Sequence, residues 1–558
     1  MSELEDYLKK NKIELFQKVE SKDKEVVYLY EKAFSGFFNI KIFKKNFYLY
    51  FKKKKNNIIF HTDIAEKNLY KNKDEITDFL KFISTKYIKK KKIRDKIRYL
   101  LLKKYKKNLV FKKILKNFFK SHYLFIRYFF YSFKFIFKNF FIKKKDDNNE
   151  TIIFSYMLNC KDPFNFKSDH WGNISSILKE KKITWIHHTF INKENTQDTN
   201  IEKFYIQSKK NKNKDKHLFL EELITINSFF IIYFSYLFNF FKNLFLFFLI
   251  KFNLKNNNSI KVFYYFHENI LIDSMFGSSF MRALIFNEHF KYIFKNFKSF
   301  KQILYLKENL SWEKSLLDNL NQFFSNRKKI FGYLHTPVRY WDLKLSQIDQ
   351  NIHTYPKEDL LVCSLICKKK LQNKLDNRNN IHLVESLRFP SNNKIKKAKF
   401  DGKKNSKKFL LLGSFNEQST QNMINQILDY IRVYKKNIKI DLKLHPLSNI
   451  NINLDKKLIN ITKLDLRILL RNNKYEMIFL DSDSSISLEL ILSNFNFLIY
   501  KDPDNLNTSF LRNNKKFKFF SNYKQIKTIS KNSIQPTNNK KFEFLNSNKY
   551  LRWKKILN

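Results

Sequence analysis

Between residues 150 and 500, short apolar, β-prone runs recur with helix-length stretches between them, and this alternation constrains the fold more than any other feature. TIIFSYML (151–158), ITWIHHTF (183–190), SIKVFYYF (259–266), QILYLKEN (302–309) and KIFGYLHT (329–336) are the first strand candidates. Strands separated by helices pair in parallel, because a parallel pair needs a crossover far longer than a hairpin turn. The pattern restarts with FLLLGS (409–414), then apolar residues at helical spacing (Met423, Ile424, Ile427, Leu428, Ile431). IDLKLHP (440–446), a helical stretch near 464–470, MIFLDSDSS (477–485), a helix at 486–493 and the strand FNFLIY (495–500) follow. The expected class is α/β with two Rossmann-like domains.

Domain boundaries follow from changes of texture. Residues 1–148 form an N-terminal extension whose end is a basic, aromatic, helix-prone arm, and residues 149–390 form the first Rossmann-like domain, carrying an apolar insertion at 218–256. The segment 391–408, SNNKIKKAKFDGKKNSKK, is polar and basic and reads as a linker. Residues 409–535 form the second Rossmann-like domain, and 536–558 a C-terminal tail or helix.

Composition limits what the net charge of +57 can mean. Phe reaches 62 residues while Gly is 6 and Pro 7, a bias that fits drift toward AT-rich codons, so much of the lysine belongs to solvated surface. No nucleic-acid-binding motif accompanies the charge, and nucleic acid is not an expected partner. Three cysteines cannot build a disulfide framework in 558 residues, and Cys363 with Cys367 lacks the second pair that a zinc site needs. The polar start MSELEDYLKKNK has no apolar core of a secretory signal.

Residues 228–252 are almost wholly apolar or aromatic, broken near the middle by Asn239, Lys242 and Asn243. A spanning helix would hold that lysine near mid-bilayer, which is costly, so an interfacial helix or a re-entrant hairpin is expected. Residues 118–141 mix Phe and Tyr with Lys and Arg as a membrane-surface segment does, although a Phe-rich core helix has the same look.

In open parallel sheets ligands bind at the carboxyl ends of strands, so polar residues there are the candidate site. In the second domain these are Gly413 and Ser414, His445 and Pro446, and Ser482, Ser484, Ser485 and Glu489. Ser484 and Ser485 stand where they can cap the next helix, whose free N–H groups suit a phosphate, and His445 can donate to the same group. His445 and the serines are expected on neighbouring strand ends. In the first domain the candidates are Asp169, His170, Trp171, His187, His267, Glu308, Asn309, Trp312, Glu313, His335, Arg339, Trp341 and Asp342. Aromatic faces beside carboxylates commonly hold sugar rings, and also commonly edge a core. No metal-ligand spacing is present among the histidines.

The blocks SDHWGNISSIL, ITWIHH, SMFGSSFMRAL, YLKENLSWEKSLL, GYLHTPVRYWDL and VESLRF, across residues 150–390, resemble bacterial surface carbohydrate biosynthesis proteins. The HP and Ser-Ser motifs of the last third resemble those of GT-B glycosyltransferases that use cytidine nucleotides. The resemblance implies a GT-B-like fold with two Rossmann-like domains facing a cleft. It implies a metal-independent enzyme of surface polysaccharide or lipopolysaccharide biosynthesis, with no cofactor and a nucleotide-sugar donor as substrate. The donor would lie against Gly413, Ser414, His445, Pro446, Ser482, Ser484, Ser485 and Glu489. Glu308, or Asp169, would be the base, with His335 and Arg339 facing the leaving phosphate. The remaining first-domain residues would hold a glycan or lipid-linked acceptor at the cytoplasmic face of the inner membrane, the protein being peripheral or monotopic. Competing expectations are a membrane-embedded polymerase or export component, a nucleic-acid-binding protein and a non-catalytic GT-B scaffold.

Overall fold

The structure, a computed structural model, describes residues 109–140, 150–156, 166, 168, 170–172, 174–178, 181–190, 199–210, 215–253, 272–273, 275–308, 311–324, 328–336, 358–372, 380–388, 407–414, 417–434, 438–445, 448, 458–472, 475–482, 484, 486–492, 495–502, 509–511, 517–531 and 549–557. Asp169, His267, Asn309, Arg339, Trp341, Asp342, Pro446 and Ser485, the strand expected at 259–266 and nearly all of the expected linker lie outside these residues.

The first unit runs α1 (Leu109–Phe140), β1 (Thr151–Tyr156), α2 (Ile174–Ile177), β2 (Ile183–His188), α3 (Thr199–Lys210), β3 (Lys216–Phe219), α4 (Ile226–Asn253), α5 (Ser278–Asn296), β4 (Gln302–Leu306), α6 (Ser311–Phe324), β5 (Lys329–Leu334), β6 (Asp359–Val362), α7 (Leu365–Gln372) and β7 (Ile381–Leu383). Its sheet has the order β3-β2-β1-β4-β5-β6-β7, with every pair parallel. Alternate residues of each strand serve opposite faces, as a pleated strand requires. Ile152, Phe154, Ile303 and Tyr305 pack under α5 and α6. Ile153, Leu304, Phe331 and Tyr333 pack with α2 on the other face.

The second unit runs β8 (Lys407–Leu412), α8 (Glu417–Val433), β9 (Ile438–Lys443), β10 (Ile459–Ile461), α9 (Leu466–Asn472), β11 (Met477–Asp481), α10 (Ser487–Leu492), β12 (Phe497–Tyr500), β13 (Phe519–Phe520) and α11 (Tyr523–Lys531). Its sheet has the order β10-β9-β8-β11-β12-β13, again all parallel. Counted from each unit's own first strand, both sheets begin 3-2-1-4-5-6, the doubly wound order of a Rossmann fold.

The last helix, α12 (Leu551–Leu557), packs on the first unit. Trp553 is wholly buried beside Trp171 and Tyr333, and its indole N–H donates to the Glu385 carbonyl at 2.6 Å. The Glu385 carboxylate accepts the backbone N–H groups of Arg552 at 3.2 Å and Trp553 at 3.4 Å, doing from a distant segment what an N-cap side chain does locally.

The arm helix α1, for which a core helix and a membrane-surface segment both stood open, packs one side into the core: Ile114, Tyr128, Tyr131 and Phe135 lie in one cluster with Phe190, Tyr205 and Phe219 of the first unit. Two expectations about the apolar stretch that follows are corrected. The span 218–256 is not purely an insertion, because β3 pairs with β2 as the sheet's edge. Its apolar part is one unbroken 28-residue helix with no hairpin, since it holds neither glycine nor proline to turn it. Among the described residues no helix is long and apolar enough to cross a membrane.

Candidate functional site

In a doubly wound sheet the crossovers leave in opposite directions on either side of the first strand, opening a crevice at its carboxyl end. The first unit's crevice lies between β1 and β4. Tyr156 ends β1, and its phenolic oxygen accepts the Trp312 indole N–H. Burial, with the Glu308 and Glu313 carboxylates nearby, holds the Tyr156 phenol well above its usual range, so it stays protonated. Glu308 follows β4, with its side chain about a third exposed. Its backbone N–H donates to Glu313 Oε1 at 2.8 Å, which fixes the strand-to-helix turn and the direction of the carboxylate.

His335 follows β5. Its Nε2 stands 3.7 Å from Glu308 Oε1, and its ring packs on His170 with centroids 4.6 Å apart. Burial first, then the charges of His170 and Arg388, hold His335 well below the usual histidine range. It is therefore neutral at pH 7 and offers a hydrogen bond rather than a charge. Its Nδ1 is buried with no hydrogen-bond partner among the described residues. An orphaned polar atom beside an exposed carboxylate at a switch point is a mark of a ligand site.

Beneath this rim lies a buried ionic layer. Lys307 Nζ lies 2.9 Å from Glu358 Oε1 and 3.6 Å from Glu313 Oε2, and the Tyr305 hydroxyl donates to Glu358. Burial alone lowers the Lys307 pKa, but the Glu358 and Glu313 carboxylates outweigh it and the net shift is upward. Paired in this way the charges hold the turn under Glu308 and are not available for proton transfer.

In the second unit Gly413 and Ser414 leave β8. The Ser414 N–H donates to Thr420 Oγ1 at 3.1 Å, and a Cβ on Gly413 would lie 2.9 Å from Thr420 Cγ2. Glycine lets this turn sit directly on the start of α8. Across the crevice, at the end of β11, the Ser482 N–H donates to Tyr500 O at 3.0 Å and the Ser484 N–H to Asp481 O at 3.0 Å. Asp481 is buried and accepts the Ser419 hydroxyl. His445 is half-buried two residues past β9, and the Gly413 N–H donates to Lys443 O at 3.0 Å, tying the two strand ends together.

The structure thus brings Tyr156, His170, Glu308, Trp312 and His335 together in the first unit, and Gly413, Ser414, Ser482 and Ser484 in the second. Several expectations change. His445 and the serine segment are not on neighbouring strands, because β8 lies between β9 and β11. The helix after the serines has only six residues, and the hydroxyl bonded at its start is Ser487, donating to Ser484 O at 3.0 Å. Glu489, half-buried in its first turn, adds a negative charge there. Trp171 and His187 are completely buried and Glu313 nearly so, which makes them supports under the site rather than surfaces for an acceptor. His187 shares a hydrogen bond with His217 at 2.9 Å. Cys363 and Cys367 are buried thiols, and burial pushes that of Cys363 up to about 12.

Sequence reasoning passed over Tyr156 and gave Arg388 no role. Tyr156 ends an apolar run and looks like core, whereas Arg388 stood in view within VESLRF. His188, which the sequence places in the same polar cluster as His187, has its Nδ1 3.2 Å from Glu221 Oε1. Burial would push the Glu221 carboxyl up, but the bonds from His188 and the Phe190 N–H outweigh it and hold it below the usual range.

No family model matches the chain, and none of the curated proteins does. Among solved structures, the Candida albicans trehalose-6-phosphate phosphatase N-terminal domain is similar at 11% identity and a TM-score of 0.38, over 75% of this chain and 95% of that one. A glycotransferase of kitacinnamycin is similar at 4% identity and a TM-score of 0.33, over 65% of this chain and 83% of that one. Likenesses this distant carry no functional argument, and the candidate site rests on its own geometry.

Proposed function

We propose that the chain is a GT-B-like glycosyltransferase of bacterial surface polysaccharide or lipopolysaccharide biosynthesis, using a cytidine-nucleotide-activated sugar. The observation that carries this reading is the pair of doubly wound sheets, each with a polar cluster at its own switch point. One such cluster serves a nucleotide, and a second gives the acceptor a separate seat.

In this reading the donor phosphate lies at the Gly413–Ser414 turn and the Ser482 and Ser484 strand end, with His445 closing one side. The acceptor hydroxyl lies at Glu308. Glu308 takes its proton, the acceptor oxygen bonds to the anomeric carbon, and the bond from that carbon to the phosphate oxygen breaks, its electron pair leaving with the nucleotide. Neutral His335 supplies an N–H donor where negative charge develops, without the cost of discharging a cation. The buried Lys307–Glu313–Glu358 layer keeps the base in place.

The test is thermal stabilisation of the purified full chain by a panel of cytidine and uridine nucleotide sugars. A ligand that binds only the folded state stabilises it by about 2.7 kcal/mol at a hundredfold excess over its Kd. One cytidine nucleotide sugar should raise the melting temperature of the wild type and leave His445→Ala unmoved. No shift with any member of the panel refutes the reading.

A further inference from the structure

The geometry points to a membrane-docking surface: the outer faces of α1 and α4 together form an aromatic slab that lies in the plane of an anionic bilayer. This inference stands independently of the transferase reading.

The two helices run antiparallel, as their ring contacts show. Phe118 meets Phe240 at 4.7 Å, and farther along α1 Phe125 meets Tyr233 at 5.4 Å and Phe129 meets Phe229 at 4.9 Å. With the core on one side and this seam between the helices, the opposite side of each is left outward. On α4 that side carries Phe230, Phe234, Phe238, Phe241 and Phe245, each between 58% and 71% exposed and spaced at three or four residues. On α1 it carries Phe111, Leu115, Phe119, Ile126, Phe130 and Phe137, spaced at four or seven residues, one turn or two, and likewise exposed. Aromatic side chains of about 200 Å² each, half or more uncovered, leave on the order of 1,000 to 2,000 Å² of apolar surface. The largest such patch on an ordinary monomer is about 300–600 Å².

Three observations choose a bilayer over other occupants. Neither helix contains an acidic residue. The exposed Lys112, Lys116 and Lys120 each follow an apolar residue of the stripe, which places a basic edge along the slab where anionic headgroups would lie. Asn243 is turned into the protein, buried and donating to Met275 O at 2.8 Å, and Asn239 is half-buried and donates to Ser235 O of its own helix at 2.7 Å. In a helix lying flat the half-buried Lys242 need not cross the bilayer, because its long side chain can reach the headgroup level.

The experiment is co-flotation of the full-length protein with vesicles of phosphatidylcholine alone or with a third phosphatidylglycerol. The wild type should float with the anionic vesicles. The triple variant F234D/F238D/F241D should bind at least about tenfold less, with an unchanged circular dichroism spectrum and melting temperature, because these side chains touch no core. The triple variant K112E/K116E/K120E should lose the preference for phosphatidylglycerol. Equal flotation of the aromatic variant and the wild type overturns the inference. So does a wild type that fails to float while light scattering finds a dimer that the aromatic substitutions dissociate, which would assign the slab to a second copy of the chain.

Discussion

Replacing Trp553 by alanine should loosen the first unit although the residue lies five from the end of the chain. The indole is completely buried among Trp171, Tyr333, Val384 and Leu387, and its ring meets that of Tyr333 edge-on at 5.2 Å. Burying a tryptophan side chain of roughly 200 Å² at about 25 cal/mol per Å² is worth near 5 kcal/mol. Truncation of a large aromatic to alanine costs about 3–5 kcal/mol once partial collapse of the cavity is allowed for. The lost bond to Glu385 O adds about 1 kcal/mol, so a loss of about 4–5 kcal/mol is expected for the transition that contains the first unit. With a urea dependence near 2–3 kcal/mol per molar, its midpoint should fall by roughly 2 M. Far-ultraviolet circular dichroism in urea reads this directly. Trp553→Phe should lose less, keeping most of the packing but stranding the Glu385 carbonyl. A midpoint shift below about 0.3 M for Trp553→Ala would show that α12 does not hold the first unit, and the reasoning from its burial would fail.

At the second unit's turn, Gly413→Ala should cost about 1–3 kcal/mol by forcing a Cβ against Thr420 Cγ2, and Thr420→Ser in the same chain should recover much of it, because serine keeps the hydroxyl that Ser414 N–H donates to. A chemical-denaturation double-mutant cycle measures the coupling, and purely additive effects contradict the contact. For pH, burial holds His187 and His335 well below the usual histidine range, His217 at about 3 and His289 at about 4. In the unfolded chain each titrates near 6.5, so none contributes a pH dependence well above that value. As pH falls from about 6.5 toward 4, the unfolded chain takes up protons the folded one refuses, and stability drops by about 1.4 kcal/mol per unit for each histidine. Urea titrations at pH 7, 6 and 5 should show uptake of several protons on unfolding, and a flat profile contradicts the burial of these rings.

The α/β class was legible because strand and helix periods leave separate marks on a sequence. ITWIHH, QILYL and KIFGYL became strands that begin where expected and end two or three residues early, since each is an apolar run bounded by polar residues. β6, β7 and β3 were not legible, being four, three and four residues long, too short for a period to register. Strand order was not legible either. That β8 would lie between β9 and β11 depends on which way each crossover leaves the sheet, and nothing local in IDLKLHP or MIFLDSDSS records that choice. At the first site Glu308 and His335 were visible as polar residues at strand ends and His170 within a polar loop, and the three do converge. Trp171, His187 and Glu313 stood in equally polar neighbourhoods yet are buried, because a residue beside a site and a residue beneath it share the same sequence context. The slab on α1 and α4 was half legible: the aromatic density was plain, but which faces the core would cover was decided by packing against α5 and the seam between the two helices.

The most direct measurement of the two-site reading is isothermal titration calorimetry of cytidine nucleotide sugars into the full chain and into His445→Ala. One donor should bind the wild type saturably at one site per chain, and the variant should bind at least tenfold more weakly, about 1.4 kcal/mol, with its melting temperature in the absence of ligand unchanged. Wild-type binding that survives His445→Ala at full strength would contradict a donor site at the second unit's switch point.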